Sequence, residues 1–413
     1  MAATDRAARR RARRRGSRLL RELPWLATGL GALAARDALG QTAVDTRFLF
    51  YKESDARTQV INPIILLQQN LGDAYGQLDL LLGYDSISGA SPTGGYPTSD
   101  VTTSASGHLI ASGSFPQAQY TDSRKSASLS YGRKFGAHLP SVDVSYAREN
   151  DYTARAIGFS DSWTMVHGLG ALHFAASFAR DIVEPVKNPE TNPEGLALHL
   201  PKSTNGFSLG WTWILGERDL LDVSASLMNL SGYLDDPYKI VPIGADAATT
   251  VPEHRPDTRS RRALVLKYGH HYLWDGAVRV TYRYYNDSWS IQAHTLEVSY
   301  DQHVLSDWIV TPQVRLYTQT GASFYASSLP APRAYMSADY RLSPLSSILG
   351  GLTITRVLDP KLAVSLGATI QTQSGRDRVV PISTSPGEEG GIPAVSAADM
   401  TVLTIIGGLT WHP

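Results

Sequence analysis

Side chains that alternate between apolar and polar, in stretches of about ten residues, recur along most of the chain after about residue 43. That period confines what the chain can fold into. In 277–285 the apolar set is Val278, Val280, Tyr282 and Tyr284, with Arg279, Thr281, Arg283 and Tyr285 between them. A strand turns successive side chains to opposite faces, so such a segment has one greasy and one wet face. The pattern returns in Leu78/Leu80/Leu82/Tyr84, Leu172/Phe174/Ala176/Phe178, Phe207/Leu209/Trp211/Trp213, Val310/Val314/Leu316 and Leu362/Val364/Leu366/Ala368/Ile370. Soluble sandwiches alternate too, but their strands average only about five or six residues. Longer strands, many closing on aromatics, suit a barrel with lipid outside and water within.

Composition narrows this further. Charged residues are 18% of the chain, and Tyr outnumbers Phe by 20 to 9. Tyr can keep its ring in a membrane interface and its hydroxyl among headgroups, so the bias fits an aromatic girdle. No apolar run is long enough for a membrane-spanning helix. With no Cys, disulfides and thiolate metal sites are both excluded.

Residues 1–40 differ from the rest. Arginines from Arg6 to Arg21 form a basic stretch, Leu23–Ala35 is mostly apolar, and Ala38-Leu39-Gly40 offers small residues at the two positions a signal peptidase reads. This order is that of a secretory leader, with 41–413 as the mature domain. A basic tail for nucleic acid is the competing reading, disfavoured by the apolar run behind the charges. The general and twin-arginine routes both stay open. The leader holds ten Arg and three acidic residues; taking these from 38 and 38 leaves 28 and 35, a mature charge of about −7. That balance gives no reason to expect a nucleic-acid partner.

The spacing predicts about sixteen strands, near 44–53, 59–69, 74–84, 124–134, 140–149, 152–160, 168–180, 203–215, 220–231, 261–271, 277–287, 289–300, 307–318, 347–357, 361–372 and 399–411. Short turns follow at 70–73, 216–219 and 359–361. The long connections, 85–123, 181–202, 232–260, 319–346 and 373–398, all follow odd-numbered strands. In a barrel with both ends in the periplasm, external loops follow odd strands. The strand-like 334–342 is placed inside a long loop. Leu403, Ile405, Leu409 and Trp411 alternate to a late aromatic, as the last strand of an outer-membrane barrel does, although His412 and Pro413 follow it.

Polar boxes gather at the outer end of this topology. The first runs from Gly83 through Asp85 and Ser86 to Pro92. A second contains Asp235, Asp236 and Lys239, and a third Arg255, Asp257 and Arg259. Arg283 and Asp287 belong to Tyr282–Trp289, read as a tight external hairpin, with His294 beyond it. Arg315, Gln319 and Tyr325 open the fourth loop, which also carries Asp339 and Arg341. In order, these D-S-x-S-G-A-S-P, G-Y-L-x-D-P-Y-K, R-P-D-x-R, Y-R-Y-Y-x-D-x-W, H-T, Q-x-x-A-x-F-Y and S-A-D-Y-R-L-S elements resemble the bacterial family catalogued as domain of unknown function 3570. The likeness runs from about residue 43 to the C-terminus. It implies an all-β transmembrane antiparallel barrel in a Gram-negative outer membrane, in contact with outer-membrane lipid. It also implies company with small envelope lipoproteins and flavin-transfer proteins, but no mechanism.

Three chemistries compete for the rim residues. Arg–Asp pairs can brace loops, since a guanidinium grips a carboxylate with two parallel bonds. Charged rings can select a solute at a constriction. Asp235, Asp236 and neighbouring carboxylates could gather oxygens for calcium, or Asp-Asp-Pro could simply be a turn. A hydrolase would need a nucleophile, base and orienting group: Ser290, Ser88 or Ser323 with His294 and Asp287. His294 shares parity with Leu296 and Val298, which turns it towards lipid. The reading favoured by the residues is therefore a barrel that is not an enzyme. It needs no cofactor or resident metal, and either passes or binds a small polar solute or docks an envelope partner.

Overall fold

A computed structural model of the chain describes residues 42–94, 102–103, 109–110, 115–165, 169–186, 192, 194–244, 249–381 and 393–413. The expected leader, 1–40, lies outside the described residues. In chain order the strands are β1 (Thr42–Glu53), β2 (Gln59–Asn70), β3 (Gln77–Pro92), β4 (Thr102–Thr103), β5 (Leu109–Ile110), β6 (Gln117–Gly132), β7 (Ser141–Arg148), β8 (Tyr152–Thr164), β9 (Gly170–Val183) and β10 (Leu200–Ile214). They continue as β11 (Asp219–Gly232), β12 (Ile240–Ile243), β13 (Thr249–Pro252), β14 (Thr258–Tyr272), β15 (Gly276–Asp287), β16 (Gln292–Val304), β17 (Trp308–Gln319), β18 (Leu345–Asp359), β19 (Leu362–Gly375) and β20 (Met400–Trp411).

Sixteen of these close on themselves in the order β1-β2-β3-β6-β7-β8-β9-β10-β11-β14-β15-β16-β17-β18-β19-β20. The seam is β1 against β20, antiparallel from Val44↔Trp411 to Glu53↔Val402. Closure pairs every wall strand on both sides, as backbone in lipid demands. The pairs β4/β5 and β12/β13 are two-stranded ribbons inside two of the long connections.

The alternation read from sequence sets the two faces of the wall. Leu366 and Ile370 are 62% and 59% exposed on the outside of β19, while the alternate positions Ser365, Gly367 and Thr369 face inward. Across β15 and β16 the pairs Val280↔Val298 and Tyr282↔Leu296 lie outside, and Thr281↔Glu297 and Arg283↔Thr295 inside. Large apolar side chains exposed around the whole ring form a belt whose burial requires lipid. The fold is thus a closed sixteen-strand barrel of the outer-membrane type.

Two boundaries differ from the sequence expectation by more than about four residues. β3 runs on to Pro92 and β6 begins at Gln117, because the ladder between them continues from Tyr84↔Lys125 to Pro92↔Gln117. The Asp85–Pro92 box is therefore wall, not loop. Gly89 makes this extension feasible: it sits at φ +134°, and a Cβ there would lie 2.2 Å from the Arg57 carbonyl oxygen. Segment 334–342 stays in its loop, as expected, and ends in a 3-10 turn over Tyr340–Leu342.

Candidate functional site

The long loops fold inward and pack on one another at the outer mouth. One apolar cluster joins Phe115, Tyr340, Ala397 and Ala398 from three loops to Leu345, Met400 and Val402 of the wall. A second gathers Trp289, Ile291, Ala322, Phe324 and Leu342, and a third holds Val241, Leu329, Met336 and Ala338. Val241 is completely buried, so the β12–β13 ribbon is a packed element and not a surface flap.

A charged network threads these clusters. Asp339, 2% exposed, caps the 3-10 turn by accepting from the Arg341 backbone N–H at 3.1 Å. The Arg341 guanidinium doubles back, Nε donating to Asp339 Oδ1 at 2.9 Å, and its Nη2 reaches Asp236 at 2.6 Å. Arg255 Nη2 donates to Asp339 Oδ2 at 2.9 Å, and its Nε lies 2.7 Å from Glu253, an ion pair without hydrogen-bond alignment. Glu253 in turn accepts from the Ser337 hydroxyl at 2.6 Å and from the Asp236 backbone N–H at 2.6 Å. Asp235 receives the Arg255 backbone N–H at 2.6 Å and faces His254 at 3.2 Å.

Lys239 extends this network across the lumen. Its ammonium donates to Ser91 Oγ at 2.8 Å and to the Pro92 carbonyl oxygen, while the Ile240 N–H donates to the Thr93 carbonyl oxygen at 3.0 Å. Lys239 belongs to the loop between β11 and β14, which stand six and seven places from β3 in the ring of sixteen. From the same loop Tyr238 donates to Asp151 in the turn between β7 and β8. The 233–257 loop therefore bridges the mouth.

Burial and charge oppose each other here. Burial alone would raise the Asp339 carboxyl, but Arg341, Lys239 and Arg255 outweigh it and hold the group well below the usual carboxylate range. Burial pushes Glu253 up to about 7 against the pull of Arg255. Burial also lowers Lys239, although Asp339, Asp236 and Glu253 favour its charge.

The residues singled out from sequence divide among several places. Asp235, Asp236, Lys239, Arg255, Asp339 and Arg341 meet in this network. Arg259 and Asp287 form a separate node: Arg259 Nε donates to Asp287 at 2.9 Å and its guanidinium lies 4.1 Å from the Trp289 ring centre. Asp287 also accepts the Trp289 and Ile291 backbone N–H groups and the Tyr285 hydroxyl, which shapes the hairpin turn. Gln319 donates to the Arg341 and Ser343 carbonyl oxygens at 3.1 and 2.7 Å, and Tyr325 donates to Asp377.

The remainder lie elsewhere. Arg315 pairs with Glu297 at 2.6 Å on the lumen wall, and Arg283 lies 5.3 Å from the Tyr285 ring centre. Asp85 accepts from Asn62, whereas Ser86 falls in the outward set with Tyr84. The Asp257 side chain is exposed, and its carbonyl oxygen accepts the Gly232 N–H. His294 is on the outer wall, its Nδ1 2.7 Å from the Tyr282 hydroxyl. With Asp287 bound up by Arg259 and His294 facing outward, no support remains for the hydrolase alternative. The calcium reading at Asp235 and Asp236 also gives way, since arginine and histidine partners occupy those carboxylates.

Sequence reasoning missed Glu253 and Arg57. Arg57 is 7% exposed and donates to the Ala397 carbonyl oxygen at 2.8 Å. It also missed Asp122, Glu149 and Asp151, whose nearest oxygens lie within 4.8 Å of one another at the mouth. Below the loops, towards the periplasmic end, a cavity of about 540 Å³ is lined by Asp79, Ser130, Ser160, His173, Asp222 and Ser224 among others. Thr212 links His173 at 3.1 Å to Asp222 at 2.8 Å.

A family model described as protein of unknown function (DUF3570) matches residues 26–389. No curated protein matches the chain. Among solved structures, the siderophore receptor PirA from Pseudomonas aeruginosa is similar at 10% identity and a TM-score of 0.42, over 90% of this chain and 62% of the receptor. A bacterial polysaccharide outer membrane secretin gives 6%, 0.48, 91% and 100%, and an anion-selective porin from Comamonas acidovorans 9%, 0.35, 91% and 99%. The chain thus spans less than two thirds of the receptor's length.

Proposed function

The chain belongs to the DUF3570 family of proteins of unknown function, and on that premise we propose that it is a gated barrel of the Gram-negative outer membrane, exported by a leader over 1–40, that passes or binds a small polar solute. The observation that carries this reading is the bridging of the mouth by 233–257, tethered at Lys239 to Ser91 and latched on Asp339. A merely structural barrel has no use for so many buried charges at one end, because a well-packed apolar plug is as stable or more so. Charged contacts that hold a shutter can exchange partners when a loop moves, whereas an apolar core cannot do so without exposing itself. The polar inner wall, with Arg279, Arg283, Thr281 and Glu297, suits a hydrated solute and not a lipid.

Planar bilayers test the proposal. Purified wild-type barrel is expected to show rare, brief openings, and Asp339→Asn to show frequent or sustained conductance, because Arg255 and Arg341 lose their shared carboxylate. Silence from both proteins, each confirmed as a folded barrel, would overturn the channel reading and favour a docking role for the ordered rim.

A further inference from the structure

The outward face carries cations just beyond the apolar belt, and at the outer end four arginines lack acidic partners among the described residues. On β8 the outward series runs Phe159, Ile157, Arg155 towards the mouth; on β9 it runs Phe174, Ala176, Phe178, Arg180. On β7 it closes with Tyr146 and Arg148, and on β14 Leu266 and Leu264 precede Arg262. All four arginines are exposed. The register on both sides of the gap, Thr153↔Ile182 and Ala156↔Ala179, sets Arg155 directly across from Arg180, and Arg148 diagonal to Arg155. Like charges in facing positions repel, so this arrangement costs stability unless an anion lies between them.

At the opposite end Arg133 lies 4.8 Å from the Phe135 ring centre, and other outward groups there are compensated by carboxylates. There Arg356 pairs with Asp307 at 3.2 Å, and Asp219 takes both Tyr268 and His270. Among the described residues, no carboxylate lies within ion-pair distance of Arg148, Arg155, Arg180 or Arg262; Arg180 instead donates to the Asn205 side chain at 3.2 Å.

A second observation stands beside the arginines. An apolar groove of about 580 Å³ indents the outer wall between β9 and β15, lined by Phe174, Phe207, Leu209, Leu227, Leu264 and Tyr284. Arg262 and Asn286 close its upper end. A groove for hydrocarbon ending at a guanidinium matches one kind of occupant, an acyl chain attached to an anionic head.

We infer that the outer wall from β7 to β15 is a binding surface for a phosphorylated lipid of the outer leaflet, one phosphate on the Arg155/Arg180 pair, a second on Arg262, and one acyl chain in the groove. Guanidinium is the suited donor, because its planar fork bonds two phosphate oxygens at once and sheds water more readily than an ammonium. The lipid resolves the Arg155/Arg180 repulsion and fills a groove that a straight acyl layer would leave loose. The inference rests on the membrane reading above, but not on the gate.

The test uses the folded barrel in neutral detergent, with native mass spectrometry counting bound molecules. The probes are bis-phosphorylated lipid A, its dephosphorylated form, and inorganic phosphate. The wild type is expected to retain the bis-phosphorylated lipid, to hold the dephosphorylated lipid at least about tenfold more weakly, and to ignore inorganic phosphate, since each lost guanidinium–phosphate bond is worth one such factor or more. Arg155→Gln with Arg180→Gln should lose that preference, and Arg155→Lys with Arg180→Lys should keep part of it. Leu227→Trp, which fills the groove while leaving every charge, should weaken both lipids. Equal retention of the two lipids by wild type, or unchanged preference in the glutamine variant, overturns the inference. Should the chain instead stay monomeric and dissolved without detergent, the membrane reading itself fails.

Discussion

Lys239 donates a 2.8 Å hydrogen bond to Ser91 although the two residues hang from well-separated arcs of the barrel, 148 positions apart in the chain. The same ammonium holds the Pro92 carbonyl oxygen, and the side chain is 4% exposed. A buried amine so placed is a tether: it fixes one loop to a wall strand that does not support it.

Lys239→Met should cut that tether while keeping most of the side chain's volume. The Ser91 hydroxyl and Pro92 carbonyl would be left without a donor, at a cost of about 1–3 kcal/mol. Because the wall ladder is untouched, the loss should fall on the mouth. Hydrogen exchange is expected to accelerate over 233–257 and stay unchanged in β1 and β20. Uniform acceleration through the wall would show that Lys239 supports the whole barrel and not the shutter.

Glu253 gives the proposed closure a pH dependence that can be measured. Its folded value of about 7 lies above the ordinary carboxyl value of 4.5, because burial outweighs Arg255. A raised acid favours the folded state fully below its unfolded value, and that contribution disappears as pH rises through the folded value. The mouth should therefore be tightest near pH 5 and looser by on the order of 1–3 kcal/mol at pH 8. Asp339 adds nothing to this window. Its carboxyl is held low, so its contribution is intact above the usual carboxylate range and is lost only in stronger acid. Conductance measured from pH 5 to 8 should rise in wild type and stay flat in Glu253→Gln. A rise of equal size in that variant would assign the effect to another group.

Much of the wall was legible in the sequence because its signal is local. Val278, Val280 and Tyr282 alternate within a single strand, and lipid on one side preserves that period wherever a strand crosses. The sixteen strands follow from it, and the expected polarity follows from the long connections after odd-numbered strands. The end of β3 was not legible, since Asp85-Ser86-Ile87-Ser88-Gly89 carries turn-forming residues whose extended pairing depends on β6. The Arg and Asp boxes announced themselves as clusters, yet nothing in them says that Arg255 chooses Asp339 over Asp257. Glu253 and Arg57 stand alone in sequence and become buried only through partners such as Ser337 and Ala397. Contacts of that kind are set by how loops fold inward, which has no period to read.

Asp287 organises the β15–β16 hairpin by accepting two backbone N–H groups, a hydroxyl and the Arg259 guanidinium with a side chain that is 0% exposed. Asp287→Ala removes all of these acceptors at once and leaves Arg259 unpaired against Trp289. A loss of about 3–5 kcal/mol is expected, as for breaking a buried charge pair. Urea unfolding in micelles should register it, with Trp289 emission shifting to the red. A loss below about 1 kcal/mol would mean that the turn is held by Trp289 packing instead.

The leader reading makes a direct statement about the mature chain. N-terminal sequencing of protein extracted from outer membranes should begin at Gln41, directly after Ala38-Leu39-Gly40. An intact Met1 in that fraction would remove the proposed cleavage.

His294 separates the surface reading from the catalytic one most cleanly. It lies outside the wall opposite Tyr284, hydrogen-bonded to Tyr282, with rings at 5.2 and 6.1 Å. Its neighbours on that face are Tyr282, Tyr284, Leu296 and, across on β17, Thr318, so the position sits where the apolar belt gives way to the outer interface. His294→Leu should fold to within about 0.5 kcal/mol of wild type, because a surface change that meets no special feature has an effect of that size. His294→Arg places a full charge at the same depth and should cost up to about 2 kcal/mol, the penalty growing with distance from the interface. Reversible unfolding in lipid vesicles measures both. Were leucine to cost as much as arginine, or were either change to alter conductance, His294 would have to reach the lumen network, against the register that sets it outside.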